Sequence, residues 1–224
     1  REVIPFLLAA LVDRATTLCD VELIHLHTFG DAAYADPQYA DSFRVANLFV
    51  GGNMRKQLDG ARVDYLPLFL SEIPQLFRSR RRPLDVAMIH VSPPDAHGYV
   101  SLGASVDVAR AAVDTADIVL AQVNKRMPRT HGDAQLHLSR LTAYVEVDEP
   151  LDCLPVEPLS DIDRAIGHHA ASLIEDGATL QMGIGAAPDA VLAALTHHRH
   201  LGIHTEMWSD GLLPLLHSGA VDNS

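Results

Sequence analysis

Residues 84–103 read LDVAMIHVSPPDAHGYVSLG. The first eight form a near-continuous apolar run with β-branched residues, which suits a central strand of a parallel sheet covered on both faces. At Ser92 the run gives way to a loop stiffened by Pro93 and Pro94 and turned at Gly98. A second apolar run, 118–123, ends in Asn124-Lys125-Arg126-Met127-Pro128-Arg129, and between the two lies a helical segment, 105–116, with Ser105 as its expected cap. Successive strand ends of a twisted parallel sheet gather along one edge, where ligands bind. The pattern predicts an α/β protein with an open, mostly parallel sheet flanked by helices.

Working outward toward the N-terminus, residues 3–15 carry a helical stripe of Val3, Phe6, Leu7, Ala10, Leu11 and Ala15. Residues 21–27 alternate as a strand, and 28–41 read as a loop that lies on the surface or over a partner. A further strand, 43–50, runs into Gly51-Gly52-Asn53, with Asn53 as the N-cap of a helix whose free amides would face outward. That feature fits either an anion site or a simple tight turn. After a short strand at 61–66, Ser71 and Pro74 open another helix. The basic run Arg78, Arg80, Arg81 and Arg82 reads as a solvated face or a phosphate contact, and its role stays open.

Toward the C-terminus, a strand at 142–147 leads to an acidic turn, and the proline-bearing, aperiodic stretch 151–161 is the expected linker. The chain is therefore divided into 1–152 and 153–224, the second part being the start of a similar domain. A helix at 162–175 stops at Asp176-Gly177, and strand 178–182 enters Gly183-Ile184-Gly185-Ala186 ahead of a helix at 189–195. A glycine pair at a strand-to-helix junction lets backbone amides approach a ligand and face developing negative charge. The next strand, 201–204, delivers Glu206 within GIHTEMWSDG, residues 202–211. Taken alone, a glutamate beside a turn is a solvated or capping residue; here the adjacent βα units would set it beside an amide nest at a strand end, a usual place for chemistry in an α/β protein.

Composition narrows the function classes. The 224 residues are 48% hydrophobic and 21% charged, as in a soluble globular protein, and can bury a substantial core. A formal charge of −12, from 29 acidic against 17 basic residues, speaks against general nucleic-acid binding. No apolar run approaches the ~20 residues needed to span a bilayer, and the apolar opening segment lacks a basic leader, so a cytoplasmic location is expected. Cys19 and Cys153, far apart and outside any CxxC pair, are expected to be ordinary buried thiols rather than a disulfide or zinc site. The 13 histidines show no ligand-type spacing, so no metal is expected. Both ends interrupt helical patterns, which suggests a piece of a longer protein.

Several stretches together resemble the acetyl-CoA hydrolase/transferase family, most closely its 4-hydroxybutyrate CoA-transferase branch. They are FLSEIP (69–74), HVSPPDAHGYVSLG (90–103), AQVNKRMPR (121–129), VEVDEPL (145–151), GIGAAPDAV (183–191) and GIHTEMWSDG (202–211). The resemblance implies a CoA-transferase fold, coenzyme A or acyl-CoA as substrate rather than resident cofactor, a small carboxylic acid such as 4-hydroxybutyrate or acetate as acceptor, and a homodimer. It places Glu206 as the catalytic nucleophile, which would form an acyl-glutamyl anhydride and then a glutamyl-CoA thioester. Backbone groups of Gly183, Ile184, Gly185 and Ala186 would serve as oxyanion donors. Ser92, Pro94, His97, Gly98, Asn124, Lys125 and Arg129 would shape the substrate pocket or face anions. Family members extend beyond both ends of this sequence. The rival readings are an acyl-CoA hydrolase, which uses the same glutamate but admits water, and a non-catalytic sensing or assembly domain of the same fold.

Overall fold

The computed structural model describes residues 4–58, 61–151, 153 and 158–224. The chain forms two compact units, residues 1–153 and 154–224. In the first, helix α1 (Pro5–Asp13) is followed by three parallel strands, β1 (Val21–His25), β2 (Phe43–Asn47) and β3 (Val63–Tyr65), in that spatial order. Helix α2 (Ile73–Arg78) leads to β4 (Val86–Val91), β5 (Tyr99–Ser101), α3 (Ala109–Thr115), β6 (Ile118–Asn124), β7 (Gln135–His137) and β8 (Ala143–Val147). Strands β4, β6 and β8 make a second parallel sheet in that order, with Val91 opposite Val123, while β5 and β7 pair antiparallel. The parallel α/β architecture is thus present, distributed over two three-stranded sheets.

The apolar runs that predict β4 and β6 are buried because both faces are covered. Ile89, Val91, Val119, Ala121 and Val123 pack with Val100, Leu102, Val113 and Leu136 in one cluster. A separate cluster gathers Phe43, Val45, Val63 and Met54 with Tyr34 and Ala35. The loop after β1 is exposed along most of its length but dips into the core at one short 3-10 turn, where Tyr34 is 1% and Ala35 0% exposed. Helix α1 also turns differently from the expected stripe. Leu8, Leu11 and Val12 pack against the core while Phe6 is 48% exposed, since apolar residues occupy nearly the whole circumference and their spacing alone cannot choose a face.

Three expected caps are corrected. Residues 52–57 form turns rather than a helix, with the Met54 and Arg55 amides both directed to the Gly51 carbonyl. Ser71 lies inside a 3-10 turn ahead of α2, whose first turn holds Pro74 as expected. Asp107, not Ser105, accepts the amides of Val108 and Ala109 at the start of α3. Cys19 and Cys153 are both exposed, contrary to the buried thiols expected. Most of the expected linker, residues 152 and 154–157, lies outside the described residues.

The second unit opens with α4 (Asp161–Ala171), capped by Ser160, whose hydroxyl accepts from the Asp163 amide while Asp163 accepts from the Ser160 amide. Strand β9 (Thr179–Leu180), helix α5 (Ala186–Ala194), strand β10 (Gly202–Ile203) and helix α6 (Leu213–Ser218) follow. Strands β9 and β10 are parallel, with Gly202 opposite Thr179 and Ile203 opposite Leu180. Leu192, Leu195, Leu201, Leu212 and Leu215 form the core of this unit. Helices α4 and α5 meet at Gly167, where an added Cβ would lie 2.4 Å from the Ala190 carbonyl oxygen.

Candidate functional site

In the second unit, Glu206 sits just beyond β10 and is exposed. Its neighbour Thr205 fixes the position: the Thr205 hydroxyl accepts the Met182 amide at 3.1 Å and lies 3.2 Å from the Met182 carbonyl and 3.1 Å from that of Met207. Met182 immediately precedes Gly183. The parallel β9–β10 pair and this clamp together carry the glutamate and the glycine turn to the same end of the two strands. The far end of the Glu206 loop is also tied down, for Ser209 donates to the Asp189 carboxylate on α5 and accepts from the Gly211 amide.

The turn at 183–186 suits an anion-facing role. Gly185 has φ of 112°, a conformation that strains residues with a Cβ, and acts as the N-cap of α5. Among the described residues, no acceptor takes the amides of Gly183, Ile184, Gly185, Ala186 or Ala187. All but Ala187 of these residues are exposed. A helix start with unpaired, solvent-facing amides attracts negative charge.

In the first unit, the loop after β4 is an ordered scaffold. Ser92 is buried and its hydroxyl accepts from the Ser101 amide at 3.0 Å. Asp95 accepts the amides of Tyr99 and His97, each at 2.9 Å. The Tyr99 amide above all, then that of His97 and the charge of Arg129, hold the Asp95 carboxyl below its ordinary value. Arg129 donates to the carbonyls of Pro93 at 3.2 Å and Tyr99 at 2.7 Å, and pairs with Asp95 at 3.5 Å. Asn124 is fully buried, donating to the Glu149 carbonyl and accepting from the amides of Arg126 and Glu149. These two side chains brace the strand ends with the groups they were expected to offer a substrate. Pro94, His97 and Lys125 are exposed, and Gly98 adopts φ of 81° beside the His137 ring.

The sequence does not reveal a cavity of about 470 Å³ in the same unit. Leu8, Ala9 and Val12 of α1 and Phe29 of the loop after β1 give it apolar walls, and His90 from β4 and Glu149 after β8 add polar groups. Gln122, fully buried, anchors α1 over it by accepting the Phe6 amide at 3.2 Å, while its own amide lies 3.4 Å from the Glu149 carboxylate. A glutamine inside an otherwise apolar strand was the one local signal. Among the described residues, no three His, Cys, Asp or Glu side chains are grouped to hold a metal. No helix there is long and apolar enough to cross a membrane.

In parallel α/β folds ligands bind outside the C-terminal ends of the strands, which is where this carboxylate and this amide turn lie. Solved structures and curated relatives show which family has this fold. The crystal structure of RipA from Yersinia pestis matches with a TM-score of 0.92 at 35% identity, over 99% of this chain and 54% of that one. A succinyl-CoA:acetate/propanoyl-CoA:succinate CoA transferase of Fasciola hepatica is 50% identical over 208 residues, 92% of this chain and 43% of that protein. A 4-hydroxybutyrate coenzyme A transferase of Clostridium kluyveri is 46% identical over 217 residues, 97% of this chain and 51% of that protein. The chain spans about half the length of these relatives. Residues 2–156 match the acetyl-CoA hydrolase/transferase N-terminal domain. The chain belongs to the acetyl-CoA hydrolase/transferase family.

Proposed function

We propose that this chain carries the nucleophile of a CoA-transferase that moves coenzyme A from an acyl-CoA to a small carboxylic acid. The observation supporting this reading is the Thr205–Met182 clamp, which ties the Glu206 loop to the strand end bearing the unpaired amides of 183–187. A carboxylate oxygen of Glu206 attacks the thioester carbonyl, the C–S bond breaks, and an acyl-glutamyl anhydride and a CoA thiolate result. The thiolate then attacks the glutamyl carbonyl and expels the acyl group as a carboxylate, leaving a glutamyl-CoA thioester. The acceptor carboxylate repeats the two steps in reverse order, so Glu206 returns unchanged and no net proton transfer is needed.

A carboxylate needs no general base but is a weak nucleophile, so oxyanion stabilisation must supply much of the acceleration. Amides of Gly183, Ile184, Gly185 and Ala186 are assigned that role, and removal of one such donor typically costs about 10²- to 10³-fold in rate. Relatives named as CoA transferases, at 46–50% identity, favour transfer over hydrolysis. The test is incorporation of isotopically labelled acetate into acetyl-CoA by the purified protein. Exchange that exceeds hydrolysis and disappears in Glu206→Gln is expected; release of acetate and CoA without exchange would assign a hydrolase instead.

A further inference from the structure

Two segments of the second unit are locked to each other at both ends. Residues 182–189, which follow β9 and enter α5, hold the glycine turn; residues 205–209, beyond β10, hold Glu206. At the near end the Thr205 hydroxyl accepts the Met182 amide. At the far end the Ser209 hydroxyl donates to the Asp189 carboxylate, in the first turn of α5, and accepts from the Gly211 amide at 3.1 Å. The seat is close, for a Cβ added at Gly211 would lie 3.1 Å from Asp189 Oδ1 and 3.3 Å from Ser209 Oγ. Leu212, one residue further, is fully buried and fixes the exit of the loop in the core. Between the two locks stand Glu206, Met207 and Trp208, with Glu206 and Trp208 exposed.

We infer that Asp189 is a positioning residue for the nucleophile: acting through Ser209, it fixes the Glu206 loop against the amide turn at 183–186. The inference rests on the CoA-transferase reading and adds to it a residue that works through another. The Glu206 side chain is exposed, so the anchors of its backbone decide how far the carboxylate stands from the amides. A loop held at Thr205 alone could swing about that point, and a second hold at Ser209 removes the swing. The Asp189–Ser209 contact suits the task. A hydrogen bond to an ionised acceptor is about twice as strong as one between neutral groups, and a carboxylate in the first turn of a helix is favoured by the amide dipoles. A misplacement of about 1 Å costs up to about 10²-fold in rate, so the hold reaches the chemistry without contact with the reacting atoms.

Four variants test this: Asp189→Ala, Ser209→Ala, the two combined, and Asp189→Asn, which keeps an acceptor oxygen for Ser209. Trp208 is the only tryptophan of the chain, so time-resolved fluorescence anisotropy reads the motion of the loop two residues from Glu206. The rate of Glu206 modification, followed by mass over a range of butyryl-CoA concentrations, separates the maximal rate from the half-saturating concentration. Each alanine variant is expected to show wider Trp208 motion and a maximal rate lower by about 10-fold or more, with half-saturation unchanged. The double variant should be no slower than the single ones, and Asp189→Asn should recover most of the rate. Unaltered Trp208 motion, an unaltered maximal rate, or losses that add in the double variant overturns the inference, and modification of Glu206 in the wild type then leaves the transferase reading standing. Butyryl-CoA bound by the wild type with Glu206 unmodified refutes the transferase reading itself, and the positioning role falls with it.

Discussion

The Thr205 hydroxyl accepts the Met182 amide at 3.1 Å and lies 3.2 Å from the Met182 carbonyl, so a single side chain pins the start of the Glu206 loop to the residue before Gly183. Parallel pairing of β9 and β10 extends over only two residue pairs, which leaves this contact to continue the ladder beyond the strands. Thr205→Ala strands the amide of Met182, a residue only 5% exposed, and is expected to cost about 1–3 kcal/mol. The rate of Glu206 modification should fall with it, and Thr205→Ser should restore both. Urea unfolding and adduct kinetics read the two effects; an alanine variant with unaltered adduct kinetics would detach the clamp from the chemistry.

His25, at the end of β1, is held down to about 4, first by burial and then by the neighbouring charge of His27. Its Nε2 meets the Tyr34 hydroxyl at 3.2 Å. In the unfolded chain this imidazole takes up a proton near its ordinary value of 6.5, while the native one resists until about 4. Stability therefore falls as pH drops through that window and is fully present above it, with a ceiling of about 3 kcal/mol from this group. Unfolding curves at neutral pH and near the lower edge should show the loss, and His25→Gln should remove its share. An identical pH slope in wild type and variant would assign the acid sensitivity elsewhere.

Arg129 braces the loop after β4. Its guanidinium reaches two loop carbonyls and Asp95 in a geometry an ammonium cannot copy. Arg129→Lys is expected to lower stability by about 1–3 kcal/mol through lost charge-assisted hydrogen bonds. Unchanged stability together with weakened acyl-CoA binding would return Arg129 to the substrate.

Gly167 of α4 lies directly against the Ala190 backbone of α5. An added methyl would fall 2.4 Å from the Ala190 carbonyl oxygen, which belongs to backbone and cannot swing aside. Gly167→Ala should destabilise by about 1–3 kcal/mol despite alanine's better helix propensity. A neutral or stabilised variant in denaturant titration would show that the two helices can separate without cost.

What the sequence discloses follows the range of the forces involved. Strands β4 and β6 were legible because burial on both faces writes a continuous apolar run, and the turn at 183–186 because a left-handed backbone writes its own glycine. The buried face of α1 was not, since Leu7, Leu8, Leu11 and Val12 offer two apolar faces and only the core decides between them. Asn53 reads locally as a helix cap, yet its side chain is spent on Thr28 at 3.2 Å and the Gly30 carbonyl at 3.1 Å, partners more than twenty residues away. The cavity was beyond reach because four separate segments wall it. Asn124 and Arg129 were found as polar residues at strand ends, but only their partners distinguish a brace from a ligand-binding group.

The most direct measurement is the mass of the peptide containing Glu206 after the protein meets butyryl-CoA and the product is trapped with hydroxylamine or borohydride. A covalent change confined to Glu206, absent from Glu206→Gln and slowed in Thr205→Ala, is the predicted result. An unmodified Glu206 in a protein that still binds butyryl-CoA would contradict it and leave a ligand-sensing domain in place of a transferase.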